Sequence, residues 1–119
     1  MKFTTSLKKN HEFKRVYTRG KSVASSHVVL YCLKNGYNAN RLGITVGSKV
    51  GNAVIRNRVR RRLKEIYRIS EDMFSKGWDL VLVSRVRAGE ADFKEIRSDF
   101  LQVAAKLGLV KQPGLKKEC

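Results

Sequence analysis

The chain has 119 residues, of which 26 are Lys or Arg and 10 are Asp or Glu, so its formal net charge at pH 7 is +16. This length is typical of one domain with a modest core. The high positive charge predicts a polyanionic partner, and nucleic acid is favoured over an anionic membrane surface. No apolar run approaches the roughly 18–20 residues that a membrane-spanning helix needs. The two cysteines and two histidines lack the spacing of metal ligands, which predicts no metal site and a reducing, cytoplasmic environment.

The N-terminal part is predicted to contain one short helix. Residues 1–9 form a basic lead-in that we expect to be irregular and flexible, and a helix follows from His11 to about Arg19. Phe13, Val16 and Tyr17 share one face of this helix because they are spaced at i, i+3 and i+4. Spacing alone favours core packing for Phe13 and Tyr17, and stacking on unpaired bases is the alternative.

Two strands are predicted next. Residues 28–33 are a β-prone run whose alternation places Tyr31 on one face of a sheet and Cys32 on the other. The segment 35–40, NGYNAN, begins with Asn-Gly, which is the strongest hairpin signal in the chain. We therefore expect a return strand over residues 41–46.

The most distinctive stretch is GNAVIRNRVRRRLKEIYR, from Gly51 to Arg68. Asn52 is a plausible N-cap at its start. Apolar residues recur with the 4-4-3 spacing of an amphipathic helix, at Ile55, Val59, Leu63 and Ile66. The cations of this stretch are Arg56, Arg58, Arg60, Arg61, Arg62, Lys64 and Arg68. The stretch predicts a folded helix with one buried side and one cationic side.

A helix of this kind is more than a solubilising surface. Arg60 has like-charged residues four positions away on both sides, Arg56 and Lys64, and each such pair costs about 0.2–0.5 kcal/mol of helix stability. A polyanion would relieve that repulsion, and guanidinium groups match phosphate oxygens in particular. The helix also lacks the bulky apolar face that membrane-surface helices insert, so nucleic acid is the favoured partner.

The last part of the chain adds a strand and a helix. The run from Trp78 to Ser84 is short and apolar, as in a central strand buried on both faces. Asp92 and Glu95 resemble the capping box of a final helix, and residues 110–119 are expected to form a frayed polar tail. The predicted order is α-β-β-α-β-α, an α+β sandwich of a small sheet against helices, in one domain that spans residues 1–119.

The stretch SKVGNAVIRNRVRRRLKE, residues 48–65, resembles the RNR motif of the bacterial ribonuclease P protein subunit. The resemblance extends to LKKNHEFKRVYTRGKSV near the start, VVLY in the first predicted strand and DLVLVSR in the third. Arg-Asn-Arg alone would be a weak signal, but within G-N-A-V-x-R-N-R-x-R-R after two strands it is highly specific. The resemblance implies the predicted element order with a left-handed βαβ crossover, where the general rule predicts a right-handed one.

The function that this resemblance implies is that of an RNA-binding accessory subunit. Ribonuclease P is a ribonucleoprotein endonuclease that removes the 5′ leader from precursor tRNA, and its RNA subunit performs catalysis and holds Mg²⁺. The implied partners are ribonuclease P RNA and precursor tRNA, with no membrane and no obligate protein partner. The protein itself would contribute no catalytic residue and no metal ligand.

The resemblance also assigns residues to two surfaces by position. Those facing the catalytic RNA would be Arg56, Asn57, Arg58, Arg60, Arg61 and Arg62, to which the cationic side of the helix adds Lys64 and Arg68. Those lining a cleft for the single-stranded leader would be Phe13, Tyr17 and Tyr31, with Ser48 and Lys49 at the edge of the cleft.

Two other functions are compatible with the composition. A ribosomal or chromatin-associated protein could use the basic helix for charge neutralisation alone, without aromatic residues placed to stack on unpaired bases. A self-sufficient metal-dependent nuclease would need acidic metal ligands. The aspartates nearest to the basic helix in the sequence are Asp72 and Asp79, and neither has an obvious partner there.

Overall fold

The structure is a computed structural model that describes residues 1–110. Five strands form one sheet: β1 (Thr4–Ser6), β2 (Lys21–Ala24), β3 (Val28–Lys34), β4 (Asn40–Val46) and β5 (Trp78–Ser84). Three helices accompany it: α1 (Asn10–Arg19), α2 (Ala53–Ser70) and α3 (Phe93–Lys106). Short 3-10 turns span Ser48–Val50, Glu71–Met73 and Val86–Gly89. None of the helices within these residues is long and apolar enough to span a bilayer.

The strand order is β1-β4-β5-β3-β2, with β5 parallel to β4 and antiparallel to β3. Because β5 lies between β3 and β4, those two strands do not pair, and the predicted hairpin at Asn35 is wrong. The connecting loop instead passes the start of β5, where the backbone nitrogen of Asn35 donates to the carbonyl oxygen of Gly77 at 2.9 Å. β5 takes the central position because its residues are buried on both faces of the sheet.

The expectation of an irregular lead-in is also wrong. β1 pairs in parallel with β4, from Thr4 opposite Asn40 to Ser6 opposite Leu42. The carboxylate of Glu71, 2% exposed, accepts hydrogen bonds from the backbone nitrogens of Lys2 (2.7 Å) and Phe3 (3.1 Å). Strands of three or four residues are too short to show a periodic pattern in the sequence. For this reason the two edge strands, β1 and β2, were not predicted.

The sheet is covered unequally on its two faces. α2 and α3 pack on one face and enclose the larger core, in which Leu30, Leu63 and Phe100 are fully buried. Among residues 1–110, α1 is the one helix that packs on the other face, where fully buried Val16 and Val81 form a smaller cluster. This helix is only ten residues long, so these residues cover the second face less than the first. The predicted alternation along β3 is confirmed, since Cys32 joins the larger core and Tyr31 lies on the α1 side.

The connection from β4 through α2 to β5 joins two neighbouring parallel strands, as in the βαβ crossover that the resemblance implied. Asn52 caps α2 as expected, its side-chain oxygen accepting from the backbone nitrogen of Ile55 at 3.0 Å. The capping box of Asp92 and Glu95 at the start of α3 is confirmed as well. Val110, predicted to begin the tail, is buried and forms a bridge with Phe74. The rest of the predicted tail, with Cys119, lies outside the described residues.

Candidate nucleic-acid interface

The cationic side of α2 faces outward, as its sequence predicted. Val59, Leu63 and Ile66 are fully buried beneath it. Each such burial contributes about 1.5–3 kcal/mol, which outweighs like-charge repulsion of about 0.2–0.5 kcal/mol per pair. The exposed members of the predicted RNA-facing set are Asn57, Arg58, Arg60, Arg61, Lys64 and Arg68, and the half-buried members are Arg56 and Arg62.

The members of this set differ in what they already contact. Arg62 Nη1 donates to the carbonyl oxygen of Ala91 at 3.0 Å and so ties α2 to the segment before α3. Arg68 forms two hydrogen bonds with the carboxylate of Glu65, at 2.8 and 2.5 Å, and this pairing lowers the pKa of Glu65. The cations of the set that have no side-chain hydrogen bond or ion pair within residues 1–110 are Arg56, Arg58, Arg61 and Lys64.

The aromatic residues assigned to the cleft do come together, on the face of the sheet that α1 covers. The rings of Tyr17 and Tyr31 meet edge to face, with centroids 4.9 Å apart. The hydroxyl of Tyr17 lies 3.2 Å from that of Thr45 on β4, and the side chain of Tyr17 is 39% exposed. Phe13 packs so closely on Gly43 that a Cβ there would lie 2.4 Å from its ring. Gly43 is therefore a residue of the cleft that the sequence pattern did not reveal.

A cavity of about 400 Å³ connects the aromatic cleft with the cationic side of α2. Phe13 and Gly43 line it from the cleft, and Arg60 and Lys64 line it from α2. β1 pairs with β4 only as far as Leu42, and no other strand within residues 1–110 pairs with the outer edge of β4 beyond that point. One surface of the described residues thus presents aromatic rings, cations and a strand edge.

Ser48 and Lys49 lie where β4 ends, in the 3-10 turn that leads into α2. Both side chains are exposed. The hydroxyl of Tyr17 is within 3.2 Å of Thr45 near this end of β4, so the turn continues the strand that borders the cleft. The role at the edge of the cleft that the resemblance implies for Ser48 and Lys49 stays a prediction.

The two aspartates that follow α2 in the sequence, Asp72 and Asp79, form ion pairs that the sequence did not predict. Asp79 accepts two hydrogen bonds from Arg41 on the neighbouring strand, and Asp72 pairs with the ammonium group of Lys2 at 3.0 Å. Asp79 lies on the α1 side of the sheet, away from the cationic side of α2. Within residues 1–110 no three His, Cys, Asp or Glu side chains are placed to hold a metal ion.

Fold and surface together define a small, strongly basic α+β protein in which a cationic crossover helix adjoins an aromatic cleft. The chain belongs to the Ribonuclease P family, whose model matches residues 1–108. It is 43% identical over 107 residues to the ribonuclease P protein component of Natranaerobius thermophilus, a match covering 90% of this chain and 93% of that protein. Family membership gives the protein a role in tRNA processing as a component of a ribonuclease.

Solved structures of relatives have the same fold. The Staphylococcus aureus RNase P protein superposes with a TM-score of 0.82 at 30% identity, covering 89% of this chain and 97% of that one. A mutant S. aureus RNase P protein described as having defective mRNA degradation activity gives 0.81 at 30% identity, covering 87% and 88%. The predicted α+β class is confirmed, and the two edge strands are the correction to its element order.

Proposed function

We propose that this protein binds ribonuclease P RNA through the cationic side of α2 and the 5′ leader of precursor tRNA along the aromatic cleft, and so assists removal of the leader. The observation that carries the proposal is the cavity that joins Phe13 to Arg60 and Lys64. An RNA strand that leaves the catalytic RNA and enters the cleft would have phosphate-binding cations and a stacking surface along one path.

The assignment of the large RNA to α2 rests on charge and availability. Arg58 and Arg61 are exposed and have no side-chain partner within residues 1–110. Phosphate contacts with such groups release condensed counterions and supply most of the sequence-independent affinity for a nucleic acid. A structured RNA offers many phosphates to a helix 18 residues long.

The assignment of the leader to the cleft rests on the need for unpaired bases. Bases in a duplex are stacked on each other and cannot reach an aromatic side chain, whereas single-stranded bases stack on one with about 1–3 kcal/mol each. Tyr17 presents its ring at the mouth of the cleft, with Tyr31 against it. The 5′ leader of the precursor would present such unpaired bases to the cleft.

We assign the Mg²⁺ of the reaction to the RNA subunit. Rapid phosphodiester hydrolysis uses metal ions held by ligands at fixed geometry. The donor set near the cleft does not fit that role, because Glu12 and Asp79 are both engaged by the guanidinium of Arg41. The protein would act by raising substrate affinity and by neutralising repulsion between two RNAs, in the bacterial cytoplasm.

The test is to reconstitute the protein with ribonuclease P RNA and measure binding of precursor tRNA and of mature tRNA without a leader. The proposal expects the protein to increase affinity for the precursor alone. An equal increase for both substrates would contradict the leader cleft. An mRNA fragment is the control substrate. It is chosen because a mutant of the S. aureus relative has defective mRNA degradation activity.

A further inference from the structure

A second cavity, of about 270 Å³, lies at the end of the sheet far from Lys49. Lys49 follows the carboxyl end of β4, whereas this cavity is built around Trp78 at the amino end of the parallel strand β5. Lys34, at the end of β3, is the register partner of Trp78. The cavity is therefore at the opposite end of the sheet from the amino end of α2, and its lining includes none of the three aromatic residues of the cleft.

The end of α1 completes the cavity. Gly20 follows the helix and packs directly on β3, because a Cβ there would lie 2.5 Å from the carbonyl oxygen of Cys32. Lys21 is the register partner of Cys32, so β2 begins at the wall of the cavity. This close approach places Arg19 and Lys21 on the same rim as Lys34.

The lining combines an apolar floor with a cationic rim. Cys32, Leu33, Trp78 and Leu107 form the floor, and burial raises the pKa of the Cys32 thiol, so that the thiol stays uncharged. The rim consists of Arg19, Lys21 and Lys34, and none of the acidic residues within residues 1–110 lines the cavity.

The rim cations are available to a ligand. Their side chains are exposed, and none of the three has a hydrogen bond or an ion pair to another side chain in the part of the chain that the structure describes, residues 1–110. The ammonium group of Lys34 lies 5.8 Å from the centroid of the Trp78 ring, within cation–π range. Three like charges around one apolar opening repel each other unless an anion sits between them.

We propose that this cavity is a binding subsite for one unpaired nucleotide of RNA, with its phosphate on Arg19, Lys21 and Lys34 and its base against Trp78. The volume lies just below the range of about 300–1,000 Å³ that is typical of small-molecule pockets, which suits a single nucleotide. An inorganic anion would use only the rim, whereas a nucleotide uses both the rim and the aromatic floor. The subsite gives the protein an RNA contact beyond the leader cleft and the cationic helix.

Trp78 makes the subsite directly measurable, because it is the only tryptophan among the 119 residues. The experiment titrates the full chain with a short single-stranded oligoadenylate and follows tryptophan fluorescence. Saturable quenching is the expected result. Lys21→Ala should raise the half-saturating concentration about tenfold, the usual effect of losing one hydrogen bond to a charged group. Lys94→Ala is the matched control, since Lys94 is an exposed lysine at the start of α3, and it should change that concentration less than about twofold.

Further arms identify the ligand and the place of binding. Inorganic phosphate and fully double-stranded RNA should leave the tryptophan fluorescence nearly unchanged. In the Tyr17→Leu variant, oligoadenylate should quench the fluorescence of Trp78 as it does in the unaltered protein. The proposal is overturned if oligoadenylate gives no saturable change, or if phosphate alone reproduces the change. It is equally overturned if Tyr17→Leu abolishes the signal, because the signal would then originate in the leader cleft. These outcomes do not depend on whether the leader cleft discriminates precursor from mature tRNA.

Discussion

Arg41 and Asp79 lie opposite each other on the parallel strands β4 and β5 and form a two-point ion pair. Arg41 Nε is 2.8 Å from Asp79 Oδ1, and Nη2 is 2.7 Å from Oδ2. The remaining nitrogen, Nη1, donates to Glu12 on α1 at 2.7 Å. One guanidinium group therefore joins the two central strands to the helix that carries Phe13 and Tyr17. The hydrogen bonds that Arg41 donates to Asp79 raise the pKa of Arg41 further above its already high value, so the bridge stays charged.

The first prediction concerns this bridge. Arg41→Met keeps the apolar stem but leaves Asp79, which is 1% exposed, with only the longer ion pair to Arg15 at 3.8 Å. Breaking a buried pair by removing one partner typically costs about 3–5 kcal/mol, and the lower end applies here because Asn35 still donates to Asp79. Urea unfolding should show this loss. Arg97→Met, at an exposed position on α3, is the control. Equal stabilities of the two variants would show that the bridge contributes nothing to the fold.

The second prediction concerns pH and Glu71. Burial alone would raise the pKa of this carboxyl, but the side chain of Thr4, hydrogen bonds from the backbone of Lys2 and Phe3, and the N-terminal charge bring its pKa below the usual 4.5. A lowered pKa in the folded state means that its contribution to stability is complete above the unfolded pKa and is lost as pH falls through the folded pKa. We therefore expect the pairing of β1 with β4 to weaken progressively as the pH falls from about 4.5 through the lower pKa of the folded state.

Amide hydrogen exchange at Leu7 measures this weakening, because its nitrogen donates to the carbonyl oxygen of Leu42 at 3.0 Å. The protection factor, corrected for the intrinsic exchange rate at each pH, should fall in acid. Glu71→Gln should remove most of that pH dependence, since an amide does not titrate. A protection factor in the unaltered protein that is constant down to acid pH would exclude Glu71 as the anchor of β1.

The features that could be predicted from the sequence are those whose signals lie within one continuous segment. The α2 helix was predicted with its N-cap and buried stripe because Asn52, Val59 and Leu63 carry those signals within one segment. The insertion of β5 between β3 and β4 was not predictable, since a hairpin at Asn35 satisfies every local rule. The ion pair of Asp79 was missed for the same reason, because its partner is distant in sequence and becomes adjacent only through the strand order.

The burial of the aromatic residues in the cleft was likewise not predictable from local sequence. Helical spacing placed Phe13 and Tyr17 on one face of α1 but could not decide between core and surface. The structure leaves Tyr17 39% exposed and Phe13 half-buried against Gly43. The exposure of Tyr17 arises because α1 is the only helix on its side of the sheet among residues 1–110.

The third prediction separates the two proposed RNA surfaces. Arg58→Ala should weaken assembly with ribonuclease P RNA and leave the stability of the protein unchanged, because the side chain is exposed and unpaired within residues 1–110. Tyr17→Leu should leave assembly intact and weaken binding of precursor tRNA by about 1–3 kcal/mol, the loss of one stacked base. Filter binding with precursor and mature tRNA measures both effects. If Tyr17→Leu weakened the two substrates equally, the ring would not contact the leader.

The fourth prediction concerns salt. If Arg56, Arg61 and Lys64 contact phosphates together with their neighbours on α2, affinity for the RNA should fall steeply with ionic strength. A protein with roughly 6–10 phosphate contacts loses about 10³–10⁵ in affinity for duplex DNA between 50 and 200 mM salt, and somewhat less for single strands. Replacing Arg61 with Ala should reduce the logarithmic salt slope by about one contact. An affinity that barely changes over this range would exclude the cationic side of α2 as the main RNA contact.

The last prediction is that the protein purified free of RNA does not cleave precursor tRNA. Cleavage would require ligands that fix metal ions beside the scissile phosphate, and the acids nearest the cleft, Glu12 and Asp79, are already paired with Arg41. A surface with a net charge of +16 also repels divalent cations until RNA phosphates neutralise it. Precursor tRNA with Mg²⁺ should therefore be cleaved by the RNA subunit, faster or at lower Mg²⁺ when the protein is added, and not by the protein alone. Mg²⁺-dependent 5′ cleavage by nuclease-treated protein, in proportion to its concentration, would transfer catalysis from the RNA to this chain.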